Sequence, residues 1–168
     1  MDPAQLSRRY AVRVMTEADI PAILALCQGN PLYYRHCPPP VSEQTVRADL
    51  LALPPRKGPE DKYYLGFFDG SRLAAVLDLI AGFPTPEIAF WGFFMVDRDL
   101  QGAGVGSALV TELCQALAGM GFQAVRLGWV RGNPQAEHFW KKNGFRELGV
   151  TWDTNGYTVV YAQRELLS

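Results

Sequence analysis

The spacing of apolar and polar positions changes twice along the chain, and each change marks a new kind of element. Tyr10 to Val14 reads as a short strand. Thr16 then caps a helix over roughly Glu17 to Gln28, with Ile20, Ile23, Leu24 and Cys27 at helical spacing. Asn30 to Pro40 carries four prolines around Tyr33, Tyr34, Arg35 and His36, a density that predicts a loop without regular structure. Ser42 opens a second helix, with Val41 and Val46 placed to pack as a hydrophobic staple and Val46, Leu50 and Leu53 on one face. Pro54, Pro55 and Pro59 stop it.

From Lys62 the period falls to two. Three runs, Tyr63 to Phe68, Arg72 to Ala81 and Glu87 to Val96, are separated by an Asp69-Gly70 turn and a Gly82 to Pro86 turn, which predicts an antiparallel meander. With the second turn centred near Pro84 and Thr85, Asp78 would sit opposite Trp91. Helical spacing then returns in Val105, Ala108, Leu109, Leu113, Ala116, Leu117 and Met120, closed by Gly119 and Gly121. Ala124 to Val130 is a strand, Asn133-Pro134 caps a fourth helix, and Asn143-Gly144 ends it. Two last strands, Phe145 to Thr151 and Tyr157 to Arg164, flank a turn at Asp153 to Gly156. No internal repeat interrupts this order, and 168 residues suit a single domain spanning 1–168.

Charge and composition narrow the function. Sixteen Lys and Arg against seventeen Asp and Glu give a net charge of −1, without the basic excess that binding to a phosphate backbone needs, so no nucleic-acid partner is expected. The longest apolar run, Ile88 to Val96, is about half the ~20 residues that span a bilayer. It is read as a buried strand, and no membrane partner is expected. The first residues lack the apolar stretch of a secretory signal, so the expected compartment is the cytoplasm. Cys27, Cys37 and Cys114 are odd in number and widely spaced. They are read as reduced thiols that form neither a disulfide framework nor a metal site.

Candidate chemistry concentrates at Gln101-Gly102-Ala103-Gly104-Val105-Gly106, between an apolar strand and the longest helix. Glycines there let the backbone approach an anion, and the free N–H groups of the helix start favour negative charge, as in a pyrophosphate cradle. A dinucleotide fingerprint would need a third glycine where Ser107 stands and a parallel βαβ unit, and a P-loop would need Gly-Lys-Ser/Thr. Neither fits. Val96-Asp97 followed by Gln101, Gly104 and Gly106 resembles motif A of the GNAT N-acetyltransferase superfamily. Asn133-Pro134-Gln135-Ala136, then Phe139-Trp140 and Gly144-Phe145, resembles its motif B. The motifs stand in the superfamily's order, one helix and one strand apart.

The resemblance implies an α/β fold of the α+β type: a mixed, mainly antiparallel seven-stranded sheet flanked by four helices and splayed between strands four and five. It implies acetyl-CoA as co-substrate and no metal. The pyrophosphate would lie on the amides of Gln101, Gly102, Ala103, Gly104, Val105 and Gly106, and the pantetheine would pair with the backbone of Phe94, Met95 and Val96. Asn133 would contact the cofactor arm, although the same side chain could serve as a plain helix cap. The implied reaction is direct attack by a primary amine of a small molecule or peptide on the acetyl group. An acyl-CoA-binding sensor or interaction module without turnover is the other reading, and homodimerisation is left open.

Two departures from the family leave the proton chemistry unassigned. Many members place a Tyr on the motif B helix to protonate the leaving thiolate, and here that position is Trp140, which has no acidic oxygen. Some members that acetylate protein N-termini carry a Glu on the fifth strand where this chain has Gly128. The remaining carboxylates are Glu87, opening the fourth strand, and Asp78, inside an apolar strand and either functional or facing solvent. Tyr33, Tyr34 and His36 fall where the superfamily borders its acceptor pocket, either recognising substrate or tucking the loop onto the core.

Overall fold

The structure, a computed structural model, describes residues 1–166. Seven strands, β1 (Ala11–Val14), β2 (Lys62–Asp69), β3 (Arg72–Ala81), β4 (Ile88–Val96), β5 (Ala124–Val130), β6 (Arg146–Asp153) and β7 (Thr158–Glu165), form one sheet in the order β1-β2-β3-β4-β5-β7-β6. Only β4 and β5 run parallel. The helices are α1 (Ile20–Gln28), α2 (Pro31–His36), α3 (Glu43–Leu51), α4 (Val105–Gly119) and α5 (Pro134–Lys142).

Alternation along β2 and β3 supplies the sheet with two apolar faces. Leu65, Phe67, Ala75, Leu77 and Leu79 meet Leu109, Val110, Leu113 and Leu117 of α4 and Trp140 of α5. On the opposite face, Tyr64, Val76 and Met95 meet Ile20, Ile23, Leu26 and Cys27 of α1 and Val46 of α3. The Arg13 guanidinium makes two 2.8 Å bonds to Asp19, which also accepts from the Thr16 amide. That pair ties the end of β1 to the entry of α1.

Four expectations from the sequence are corrected. The segment 30–40 is not wholly irregular, because α2 occupies Pro31–His36. Pro31 stands at the first position of the helix, where its missing N–H has no partner to lose. Pro38, Pro39 and Pro40 come only after the helix has ended. The first helix becomes α-helical only at Ile20, after a 3-10 turn at Glu17–Asp19. Glu87 does not open β4: the Ile88 carbonyl accepts from Gly82 and Phe83, the Ile88 amide bonds Thr85, and the ladder starts there. Finally, Asp78 pairs with Phe93, and Trp91 pairs with Leu79.

The last correction has one cause, a bulge at Gly92 that inserts an extra residue between the two pairs. It also switches which face each following side chain occupies. Ala89 and Trp91 join the α4–α5 core, after which Phe94 and Val96 continue on that side while Phe93 and Met95 join the other. The parallel ladder between β4 and β5 begins at Ile88↔Ala124 and ends at Trp91↔Leu127, immediately before the bulge. Beyond it the two strands continue to Val96 and Val130 without pairing to each other, and a cleft opens between them.

Candidate active site

Both halves of the sequence-predicted site lie at this cleft's end of the sheet. Its lining draws on both cores: Trp91, Phe94, Leu127, Trp129 and Trp140 from the α4–α5 side, with Tyr33 and Phe93 from the α1–α3 side. Gly92, Gly128 and Asn133 complete the rim. Asn133 caps α5, its Oδ1 accepting from the Ala136 amide at 3.2 Å, and the same residue borders the cleft. The cap is therefore made by a residue that also lines the cleft.

The glycine turn connects β4 to α4. Gly102 and Gly104 adopt φ of 83° and 79°, and a Cβ at either would meet nothing within 4 Å, so glycine is required there by backbone conformation and the space above stays open. Gly106 differs, because a Cβ there would stand 3.2 Å from the Phe139 ring. No side chain caps α4, which leaves its first-turn N–H groups to solvent or an anion.

Asn30, which the sequence reading passed over, fixes the turn from behind. Gln101 folds its side chain inward, and its Nε2 donates to Asn30 Oδ1 and, at 2.9 Å, to the Val96 carbonyl. Asn30 Nδ2 donates to the Leu26 carbonyl at 3.0 Å and to the same Val96 carbonyl at 3.4 Å. Both lone pairs of that carbonyl are thus engaged, and the ends of α1 and β4 are locked to the glycine turn. The motif glutamine was the available signal, since an exposed turn has no need of an amide side chain unless a partner waits behind it.

The two carboxylates separate clearly. Glu87 is fully exposed at the N-terminal end of β4, the whole parallel ladder away from the cleft, and a hydrogen bond from Thr85 holds its carboxyl below the usual value. Asp78 is part-buried, with 13% of its side chain exposed, on the α3 face. Lys62 Nζ donates to Asp78 Oδ2 at 3.0 Å and to the carbonyls of Asp49 and Ala52 at 2.7 and 2.8 Å. Its three protons are then spent, so Asp78 Oδ1, at ion-pair distance from the same ammonium, is buried without a hydrogen bond. Burial pushes the Asp78 carboxyl up to about 6, against the opposing pull of Lys62. A Cβ on Gly92 would stand 3.1 Å from Asp78 Oδ2, so the missing side chain at the bulge lets this carboxylate pack directly behind a residue of the cleft lining without lining the cleft itself.

Among the aromatic residues read as substrate-facing, only Tyr33 lines the cleft. Its ring packs edge-on against Phe93 at 5.5 Å and against Tyr34 at 4.9 Å. The Tyr34 hydroxyl neighbours the Cys27 thiol, and His36 sits half-buried in the last turn of α2. Trp140 is a packing residue, with Phe139, Phe145, Phe94 and Trp91 at ring distances of 4.9, 5.2, 5.7 and 6.2 Å. The ring N–H of Trp91 is buried without an acceptor.

The sequence profile of the acetyltransferase (GNAT) family matches residues 29–145, more than half the chain, including the glycine turn, Asn30, Tyr33, Asp78, Glu87, Asn133 and Trp140. This protein belongs to the GNAT acetyltransferase family. No curated protein sequence matches it closely enough to add a substrate. Among solved structures it is similar to an acetyltransferase from Thermus thermophilus, with 23% identity, a TM-score of 0.69 and coverage of 92% of this chain and 95% of that one. It is similar also to the ribosomal-protein-S18-alanine N-acetyltransferase from Escherichia coli, with 19% identity, a TM-score of 0.66 and coverage of 94% of each chain. A third, the ribosomal-protein-alanine N-acetyltransferase from Brucella melitensis, shares 17% identity over 92% of this chain and 98% of that one, with a TM-score of 0.61. At these identities the neighbours establish the fold.

As a GNAT-family enzyme the protein uses acetyl-CoA, and its residues fit that co-substrate. An uncapped helix start lies under two positive-φ glycines, a strand pair parts in front of it, and a buried ring N–H in the cleft lacks an acceptor. Among the described residues no cluster of three or more His, Cys, Asp or Glu could hold a metal, and no helix is long and apolar enough to cross a membrane.

Proposed function

We propose that the protein is an N-acetyltransferase that moves the acetyl group of acetyl-CoA to a primary amine of a small molecule or peptide by direct attack. The observation that carries this reading is the cleft: it begins where the β4–β5 ladder stops, is lined from both faces of the sheet, and lies beside an open glycine turn. Donor and acceptor could then approach from opposite faces. When bound, acetyl-CoA supplies a thioester carbonyl to which an amine can add.

The amides of residues 101–106 would hold the pyrophosphate, and unpaired backbone of β4 near Phe94 and Met95 would hold the pantetheine, with Asn133 at the cofactor arm. Asp78 would take the proton from an incoming ammonium, directly or across one water, since it is the part-buried carboxylate beside Gly92. Glu87, at the far end of β4, would act only from solvent. Tyr33 would border the acceptor, backed by Tyr34 and His36 in the same helix.

Acetyl-CoA at a hundred times its dissociation constant should stabilise the fold by ~2.7 kcal/mol, read as a rise in Tm. Gly104→Glu should abolish that rise, because a side chain at positive φ and a negative charge would both occupy the anion site. CoA release with a panel of amines then tests the chemistry. Binding without turnover on any acceptor would convert the assignment to an acyl-CoA sensor, and a folded Gly104→Glu variant that binds normally would remove the cradle.

A further inference from the structure

A departing thiolate needs a proton, and Trp140 cannot provide one. Tyr33 is the one ionisable side chain among the described residues that line the cleft; every other lining group is aromatic, aliphatic, glycine or the amide of Asn133. It reaches the cleft from the α2 face, whereas Trp140 reaches it from the α5 face. We infer that Tyr33 is the catalytic proton donor of this enzyme, supplied from the acceptor side of the sheet in place of the hydroxyl missing from α5. The inference rests on the acetyltransferase reading and names a residue that carries it out.

The position suits a relay. As the amine nitrogen bonds to the acetyl carbon and the carbon–sulfur bond breaks, the electron pair of that bond goes to sulfur. Tyr33 Oη gives its proton to the sulfur and recovers one from the nitrogen, which is positively charged once bonded to carbon and therefore strongly acidic. The net transfer is one proton from nitrogen to sulfur, and the phenol ends as it began. A donor on the acceptor face stands on the side from which the nitrogen comes, so one hydroxyl can serve both atoms.

The surroundings of Tyr33 keep it protonated. The titratable groups around it are Cys37 and Tyr34 beside it in the chain, Asp49 on α3, Tyr64 on β2 and Tyr157 on the β6–β7 turn. Burial, then the Cys37 thiol, raises the phenol well above its ordinary value. Tyr157, beside the same thiol, is pushed up to about 12. None of these neighbours is a cation that would draw out the phenolate, so the hydroxyl remains a donor until the relay replaces its proton.

Two measurements test the role. The ultraviolet absorbance of the thiolate, followed against pH for CoA bound to the wild-type protein, should show a roughly tenfold greater thiolate fraction at a given pH than free CoA, because a hydroxyl donor stabilises the anion. Tyr33→Phe, which keeps the ring packed on Phe93, should erase that excess and lower kcat by ~100-fold or more, with KM for acetyl-CoA within a few-fold. A bound thiol that titrates like free CoA in the wild-type protein overturns the inference without any variant. So does a Tyr33→Phe protein that keeps both the excess and the turnover, and in that outcome the acetyltransferase reading survives. Failure of the wild-type protein to bind acetyl-CoA, or to turn over any amine, overturns the two together.

Discussion

At Asp78, stability and chemistry ask for opposite protonation states. Its carboxyl titrates at about 6 in the fold against 3.8 for an ordinary aspartate, so the folded state prefers it protonated. That preference contributes fully below about pH 4 and is lost as pH rises through about 6, a change of ~3 kcal/mol for a shift of this size. Asp78→Asn should therefore have its most favourable Tm relative to wild type above pH 6, checked by thermal melts across about pH 4 to 8. A base must be ionised, so wild-type turnover should rise through about pH 6, and Asp78→Asn should lose ~100-fold and that acidic limb while still binding CoA. Unchanged turnover and limb would remove Asp78 from the reaction. Asp19 works the other way. A hydrogen bond from Arg13 holds its carboxyl at about 2, so its contribution is present above about pH 4 and disappears as pH falls toward 2.

The connections between elements show how little of the site belongs to any one of them. The glycine turn is positioned by the end of α1, because Asn30 holds Gln101 and the Val96 carbonyl together. Asn30→Ala should destabilise the fold by ~1 to 3 kcal/mol by leaving buried partners unsatisfied, and should raise KM for acetyl-CoA more than it lowers kcat. Denaturant melts and steady-state kinetics separate that outcome from a purely structural loss. The elements themselves were largely legible: α4 from its stripe, the meander from its turns, α5 from its Asn-Pro cap. The irregular points were not. The α2 helix has only one turn and a half in which to show a period, and the bulge at Gly92 leaves a continuous apolar run unchanged in sequence while moving Asp78 from Trp91 to Phe93.

Across the whole molecule, each of the two cores presents aromatic rings to the cleft. Trp140 joins α5 to β4 by its contacts with Trp91 and Phe94, and Phe145, immediately before β6, closes the group. Trp140→Ala should destabilise the fold by ~3 to 5 kcal/mol, measured by chemical denaturation, because the cavity would open at the junction of sheet and helix. A loss below about 1 kcal/mol would show that the cluster repacks and that Trp140 serves the cleft rather than the core.

Element order apart from α2, the glycine turn with its helix, and the two motifs that identify the family could all be read along the chain, because they depend on local spacing and on residues adjacent in sequence. Which carboxylate packs behind Gly92, which tyrosine lines the cleft, and what holds the glycine turn became visible only once the chain was folded. The first two depend on a small local irregularity, a bulge or a short helix, that rotates side chains onto a different face. The third depends on distance along the chain, since Asn30 stands 71 positions before Gln101. Asp78 and Gly92 likewise lie on neighbouring strands. Strand register and helix packing bring these residues together, and local spacing does not encode either.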